Sequence, residues 1–308
     1  MAVQFTHLDA AESTFFSREL EQIRAKNYNI KYAQLKGLSF VPVDNSLDPA
    51  VENVTYRQWD QVGVAKFVSS YASDFPRADV SAVEFTSKIK SIGASYGYNV
   101  QEIRAARREG RPLDSMKATA AKRSIDQLID TVAQVGDTST GLKGLLNQAN
   151  ALTYTIPTDG AGSTATWSTK TSDQVARDMH TAARYIVEQT KEVEQPDTII
   201  LPLTSFGYVS TTRMSTIDST TILEYFLKTS PYITTVASWQ ALETAGSGST
   251  KRMVVYRRDP DALQFLLPVA FEQFPPQERG LEYVTYCHAR VGGVVTYYPL
   301  SICYADGI

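Results

Sequence analysis

The sequence is poor in the side chains that carry chemistry. Only three histidines, two cysteines and three tryptophans occur in 308 residues. His7, His180 and His288 lie far apart, and His180 has no second ligand one helical turn away, so no zinc-type site is spelled out. Cys287 and Cys303 form neither a close metal pair nor a redox motif, and they can pair only if the fold brings them together. Cysteine this sparse fits synthesis in a reducing cytoplasm, where the sequon Asn53-Val54-Thr55 carries no meaning. No apolar run approaches the roughly 20 residues of a membrane helix. The N-terminus, MAVQFTHLDAAESTFF, lacks the basic head and apolar segment of a signal peptide. Charge of one sign is also missing. Lys+Arg number 30 against 33 Asp+Glu, a net charge of −3, which predicts no strong general attraction to nucleic acid or to an anionic membrane.

Motifs of catalysis are absent too. Gly246-Ser247-Gly248-Ser249-Thr250-Lys251 lacks the Gly-Lys-Ser/Thr spacing and the following helix of a phosphate loop. Gly160-Ala161-Gly162 has no correctly placed third glycine for a dinucleotide turn, and no GxSxG elbow occurs. Cys287 and His288 are neighbours in a strand-like stretch, so they face opposite ways. No cofactor, metal or catalytic residue is expected.

What is present is a soluble globular composition, 43% hydrophobic and 20% charged, long enough for one large domain or two. The organising stretch runs from Pro112 to Asn147. Pro112 suits a first helical position. Leu113, Met116, Ala120, Leu128, Val132 and Val135 recur at helical spacing, with Ile125 and Ile129 on the adjacent stripe. Lys117, Lys122, Arg123 and Asp126 fall on the other side, and Gly136 stops the helix. About 24 residues at roughly 1.5 Å each predict a rod of roughly 36 Å. A polar turn follows and leads into Gly141-Leu142 and Gly144-Leu145-Leu146-Asn147.

Around this rod the pattern is mixed α+β. A first helix is expected from Asp9 to Lys26, with Phe15, Phe16, Leu20 and Ile23 as its stripe. Residues 38–80 are extended: Pro42 and Pro49 break helix, and Val54, Tyr56, Val62 and Val64 alternate with polar residues. Val83, Phe85, Ser87, Ile89 and Ser91 read as one strand returning to the body. Asn99 and Glu102 open a short helix as a capping-box-like pair. Thr171 and Gln174 form a capping box before a helix carrying Val175, Met179, Ala182, Ala183, Ile186 and Val187. Thr198 to Leu203 is a buried strand, and residues 204–230 are broken helix with Leu223, Phe226 and Leu227 in the core. Strands follow over 232–239, 251–258 and most of 281–308, with Gly292-Gly293 offering a turn.

The long helix, its polar turn and the GLxGLLN run, preceded by the short helix in SYGYNVQEIRAAR, resemble the spine helix and following loop of tailed-phage major capsid proteins of the Hong Kong 97-like fold. That family takes in the encapsulin shell proteins. The resemblance implies an N-terminal arm over 1–37 and an extension loop over 38–82. It implies a peripheral domain over 83–150 and 281–308, with the spine at about 112–135, and an axial domain over 151–280. For the arm, an ordinary first helix packed on its own domain is the competing reading; for the loop, a small sheet packed on its own chain. Val54, Tyr56, Trp59, Val62 and Val64 are the candidate loop contacts with a neighbouring copy. Arg104, Arg107, Arg108, Arg111, Lys117, Lys122 and Arg123 are candidate DNA-facing or subunit-contact residues. The plainer reading of that run is a solvated face whose exposed ion pairs contribute about 0–1 kcal/mol each.

The implied function is structural rather than enzymatic: assembly through pentameric and hexameric capsomers into an icosahedral phage head enclosing double-stranded DNA. The implied partners are copies of itself, portal, scaffold or decoration proteins, and DNA held by non-specific contact, with no membrane. The implied location is the virion, assembled in the host bacterial cytoplasm. No long segment precedes the arm, so a fused scaffold is not expected. An encapsulin-like compartment for cargo enzymes and a cytosolic α+β enzyme are the alternatives.

Overall fold

The structure is a computed structural model that describes residues 31–67, 77–109, 113–215, 217 and 219–308, without the side chains of 106, 107, 109 and 113–115. The helix expected over 9–26 and the residue expected to open the long helix, Pro112, lie outside the described residues. The chain divides into two units, Met1–Gln34 and Leu35–Ile308, and the second is called the body below.

The body begins with α1 (Gly37–Phe40), β1 (Val43–Asp44), β2 (Asn53–Val62), β3 (Asp79–Lys88) and β4 (Lys90–Asn99). Then come α2 (Val100–Glu109), α3 (Leu113–Val135), β5 (Leu152–Thr155), α4 (Ser172–Gln189) and β6 (Thr198–Leu201). They are followed by α5 (Leu203–Thr211), α6 (Ile222–Thr229), β7 (Thr235–Ser238), β8 (Arg252–Tyr256) and β9 (Leu263–Leu266). The chain closes with β10 (Val269–Gln273), β11 (Gln277–Arg279), β12 (Glu282–Val291), β13 (Gly293–Thr296) and β14 (Ile302–Asp306).

A five-stranded sheet in the order β5-β14-β8-β6-β7 is the wall between two cores. Its strands are apolar on both faces, and their alternation divides them. Ile200, Val254, Tyr256, Ile302 and Tyr304 join the core that contains α3. Ile199, Leu201, Met253, Val255, Cys303 and Ala305 join the core that contains α4. A strand covered on both faces loses its polar alternation, which is why TIIL over β6 reads as a continuous apolar run. The second sheet is built on β12, which pairs antiparallel with β4 on one side and with β10 and β11 on the other. A third, β1-β9-β13, adjoins it, and β2 and β3 stand as a separate two-stranded ribbon.

Strand membership crosses the boundaries expected from the resemblance. β14 lies in the sheet of residues 152–256, while β9, β10 and β11 pair with strands near the long helix. The strand expected over 83–91 is two elements: its first half completes the ribbon as β3, and β4 enters the body after Ile89. Gly292-Gly293, expected as a hairpin turn, is a bend where β12 leaves one sheet and β13 enters another.

α3 buries Ala121, Ile125, Ile129, Val132 and Ala133. Met116, Ala120, Leu128 and Val135 are exposed instead. Two apolar stripes compete on this helix, and the one with alanines at its edges lets the helix lie closer to β4 and β12. Asp130, buried beside that stripe, accepts hydrogen bonds from Gly37 N (2.6 Å) and Gln134 Nε2 (2.6 Å), fastening the start of the body to the helix. The capping box of α4 forms as expected: Gln174 N donates to Thr171 Oγ1 (3.4 Å), and Thr171 N donates to Gln174 Oε1 (2.8 Å). α6 buries Ile222 and Phe226 but leaves Leu227 exposed, since only one face of so short a helix meets α4.

The run after α3 is a cap. Gly136 has φ +70, a left-handed conformation that ends the helix. At Gly144 a side-chain carbon would lie 2.3 Å from Gln134 O, so only glycine lets the returning chain touch the helix end. Asn147 then bridges the two segments: its Oδ1 accepts from Gly144 N (2.8 Å) and its Nδ2 donates to Val135 O (2.6 Å).

Candidate assembly surface

Among the described residues, the ribbon is an element exposed along most of its length. β2 and β3 pair over ten positions, from Asn53↔Lys88 to Val62↔Asp79. Ten residues at about 3.3 Å each make it roughly 33 Å long. From Arg57 to Val62 every residue of β2 is exposed, and so is every residue of β3 from Asp79 to Thr86. The register sorts the side chains. One face carries Val54, Tyr56, Phe85, Val83 and Val62. The other carries Thr55 and Thr86 (Oγ1···Oγ1 2.9 Å), the Arg57–Glu84 ion pair (2.6 Å), then Trp59 beside Ala82, and Val80. Trp59 therefore lies on the opposite face from Val54, Tyr56 and Val62, because the side-chain period along a strand is two.

The candidate contacts divide further by exposure. Trp59 is 60% exposed, Val62 57% and Val64 72%. Val54 and Tyr56 are half-buried at the base. There Tyr56 stacks on Phe85, with centroids 5.3 Å apart, and meets Tyr297 edge-on at 4.8 Å. Burial raises the Tyr56 phenol above its ordinary range, and its hydroxyl donates to Thr296 O (3.4 Å). Sequence reasoning missed Val80, Val83 and Phe85 as ribbon residues. The signal was there: the alternation over 79–88 matches 53–62 in length, as two paired strands must.

The described members of the basic run differ in exposure and partners. Arg104 and Arg108 are exposed on α2 and Lys122 on α3, while Arg111 and the side chain of Arg107 lie outside the described residues. Lys117 is used within its own chain. Its Nζ donates to Gly97 O (2.7 Å) and Glu102 Oε2 (2.9 Å) and sits 4.6 Å from the Tyr98 ring centroid. The Lys117 hydrogen bond holds the Glu102 carboxyl below its usual range. Arg123 is half-buried.

Among the described residues no group of three or more His, Cys, Asp or Glu side chains could hold a metal ion. Both thiols are unpaired and buried, and burial pushes Cys303 up to about 12. The buried charges near α4 are tied to one another. Lys170 Nζ reaches Asp178 Oδ2 (2.5 Å), Asp159 Oδ1 (3.1 Å) and Pro157 O (2.7 Å), and Arg177 pairs with Asp159 (2.5 Å) and Asp178 (2.9 Å). That network pins the loop before α4 and leaves no group free for proton transfer.

A family model described as Major capsid protein matches residues 63–308. The chain belongs to the major capsid protein family. The chain also superposes on solved structures. The capsid of Myoviridae phage XM1 matches with a TM-score of 0.82 at 16% identity, over 95% of this chain and 98% of that one. Mycobacterium phage Adephagia matches at 0.60 and 11% identity, over 98% of both chains. A virus-like particle from Pyrococcus furiosus matches at 0.53 and 12% identity, over 87% of this chain and 91% of that one. No curated protein matches the chain. At these identities the superpositions establish the fold, the tailed-phage capsid architecture expected from the sequence, and the family match establishes a structural capsid role.

In that light the GLKGLLN run is a structural signature with a cause. It returns the chain to the end of the long helix: Gly144 and Asn147 meet its last turn, Leu142, Leu145 and Leu146 are buried in the core beside it, and Gly141 (φ +77) supplies a left-handed turn.

Proposed function

We propose that this chain is a shell tile whose ribbon is completed only on an adjacent copy. The observation that carries this is the row of exposed apolar side chains on a ribbon with almost no support of its own. A two-stranded ribbon is marginal in water by itself, and natural proteins seldom leave apolar strand surface uncovered. Head-to-tail contacts of this kind are heterologous, and they close into rings when the rotation between copies allows it. Pentameric and hexameric capsomers then build an icosahedral head around double-stranded DNA. Contacts that are weak singly become strong when many must break together.

In this reading the ribbon over 53–88 is the extension loop. α3 with the β12 sheet is the peripheral domain, the five-stranded sheet with α4, α5 and α6 is the axial domain, and residues 1–37 are the arm. Arg104, Arg108 and Lys122 remain the exposed cations available to packaged DNA; each neutralised phosphate makes binding more salt-dependent without conferring sequence preference. The protein is not an enzyme. It assembles in the host bacterial cytoplasm, with portal, scaffold or decoration proteins as further partners, and resides in the virion.

Electron microscopy of the purified protein tests this. Closed shells or capsomer rings are the expected result, and a monomer that stays monomeric at high concentration and with viral partners present would overturn it. Particles filled with one enzyme instead of DNA would point to an encapsulin-like compartment.

A further inference from the structure

We propose that Tyr56, Phe85 and Tyr297 form a pivot that sets the direction in which the ribbon leaves the body; this rests on the assembly reading above. The body side of the pivot is fixed. Tyr297 OH donates to Gln264 Oε1 (3.0 Å), and Tyr297 N donates to Ala262 O (2.9 Å). The ribbon side is held by much less. Ile89 N donates to Glu52 O (2.8 Å) where the two strands meet the body. Beyond that, Ser87 Oγ reaches Gly292 O at 3.5 Å and Tyr56 OH reaches Thr296 O at 3.4 Å, both at the long limit of a hydrogen bond. The ring set is therefore the last packed contact before the ribbon runs free, with Tyr56 sandwiched between Phe85 at 5.3 Å and Tyr297 at 4.8 Å and 82°.

The lever is long enough to matter. Tyr56 to Val62 is six residues, about 20 Å of strand. A gap of 0.5–1 Å already forfeits a quarter to a half of a packing contact. At about 20 Å from the pivot, a 1 Å displacement is a swing of roughly 3°. Two-stranded ribbons have the largest and most variable twist of any sheet, so strand pairing alone does not hold that angle. The rings do so by filling the angle between ribbon and body.

Three variants test the pivot: Tyr297→Ala removes its body side, Tyr56→Ala removes its ribbon side while leaving every residue of the body in place, and Tyr297→Phe keeps the ring. Each is compared with wild type by circular dichroism, thermal unfolding and electron microscopy of assembled particles. Expected are a wild-type spectrum for all, and shells of wild-type diameter from Tyr297→Phe. In both alanine variants, closed shells of that diameter fall about tenfold or more, replaced by open sheets or mixed diameters, because every subunit carries the same defect. If Tyr297→Ala does not fold, Tyr56→Ala decides alone. Alanine variants that match wild type in shell yield and diameter overturn the pivot and leave the assembly reading intact. A wild-type protein that forms no particles overturns the assembly reading, and the pivot with it.

Discussion

Trp59→Ala separates a ribbon that docks from one that waves in solvent. The indole is 60% exposed and stands on the ribbon beside Ala82, so its removal should leave the body's unfolding temperature unchanged. A tryptophan carries roughly 200 Å² of surface, so about 120 Å² is available to a neighbour. At about 25 cal/mol per Å² that is about 3 kcal/mol per contact. Ordering the side chain on docking takes back about 1 kcal/mol. The remaining 2 kcal/mol or so corresponds to about a thirtyfold rise in the concentration at which half the protein is assembled. Light scattering or sedimentation across a dilution series measures that midpoint directly. Gln61→Ala, on the same face two residues on, is the control and should move it less than about threefold, since a rim polar contact contributes little. The opposite face is tested in parallel by Val62→Ser and Val83→Ser. A neighbour that covers only that face would leave Trp59→Ala silent while these two raise the midpoint. If all three variants assemble at the wild-type concentration, neither face is covered and the ribbon is not an assembly element.

Asn147→Ala removes both hydrogen bonds that close the spine cap and should cost roughly 1–2 kcal/mol in denaturant unfolding, the usual scale for losing a cap; an unchanged midpoint would mean Gly136 and Gly144 close the turn unaided. Lys170→Met strands the fully buried Asp178 beside a single remaining cation and should cost roughly 3–5 kcal/mol, with Lys170→Met/Asp178→Leu recovering much of it; a double variant as unstable as the single one would refute the pairing. The Arg177 hydrogen bond, joined by Lys170, holds the Asp159 carboxyl below its usual range. Its folded value is thus lower than the unfolded one of about 3.9, so its contribution is complete above that pH and is lost as pH falls further. Hydrogen-exchange protection in residues 157–170, taken relative to the intrinsic amide rate at each pH, should stay constant from neutral pH down to about 4.5 and fall only below about 4, whereas Arg177→Met should bring the fall up into the ordinary carboxylate range. Loosening of the wild-type loop near pH 6 would show that another group controls it.

Much of the secondary structure was legible because local chemistry decides it. Thr171 and Gln174 announce a helix start whatever the tertiary context, and TIIL can only be a strand covered on both faces or a piece of buried helix. The long helix was legible as an element but not in its orientation. Its sequence carries two apolar stripes, and the choice of Ala121, Ile125, Ile129 and Val132 over Met116, Leu128 and Val135 is made by how closely the backbone can approach β4 and β12. No periodicity contains that information. Sheet membership was illegible for the same reason: β14 follows β13 within a few residues yet lies in a different sheet, parallel to β5 and antiparallel to β8. Of the ribbon, one strand was visible and the other was mistaken for a returning strand. Hairpins joined by long loops lack the two-residue turn that makes pairing obvious in sequence. What each cation of the basic run meets could not be read from spacing along a helix, and Lys117 stands opposite Gly97 and Tyr98.

The joint after the long helix holds the body together where the chain passes from one sheet to another. Five consecutive carbonyls, from Leu142 to Leu146, each accept a hydrogen bond: from Asp137 N (3.0 Å), Val294 N (2.8 Å), Gln148 Nε2 (2.6 Å), Tyr304 OH (2.6 Å) and Arg252 Nη1 (2.7 Å). The donors come from the turn itself, from β13, from β14 and from β8. One short segment thus ties the end of the long helix to two different sheets, and both sides of the five-stranded wall share its rigidity. Tyr304 is buried deeply enough that its phenol is pushed up to about 12, so its hydroxyl stays a donor at any physiological pH. Arg252 is fixed in turn by Asp306 (2.6 Å) and by the Tyr304 ring 4.5 Å away. The segment that meets the ribbon at Tyr297 is thus tied close by to this joint, through Val294 N to Lys143 O (2.8 Å), so a ribbon that docks on a neighbour as proposed would pull on a body held at several points and not at one.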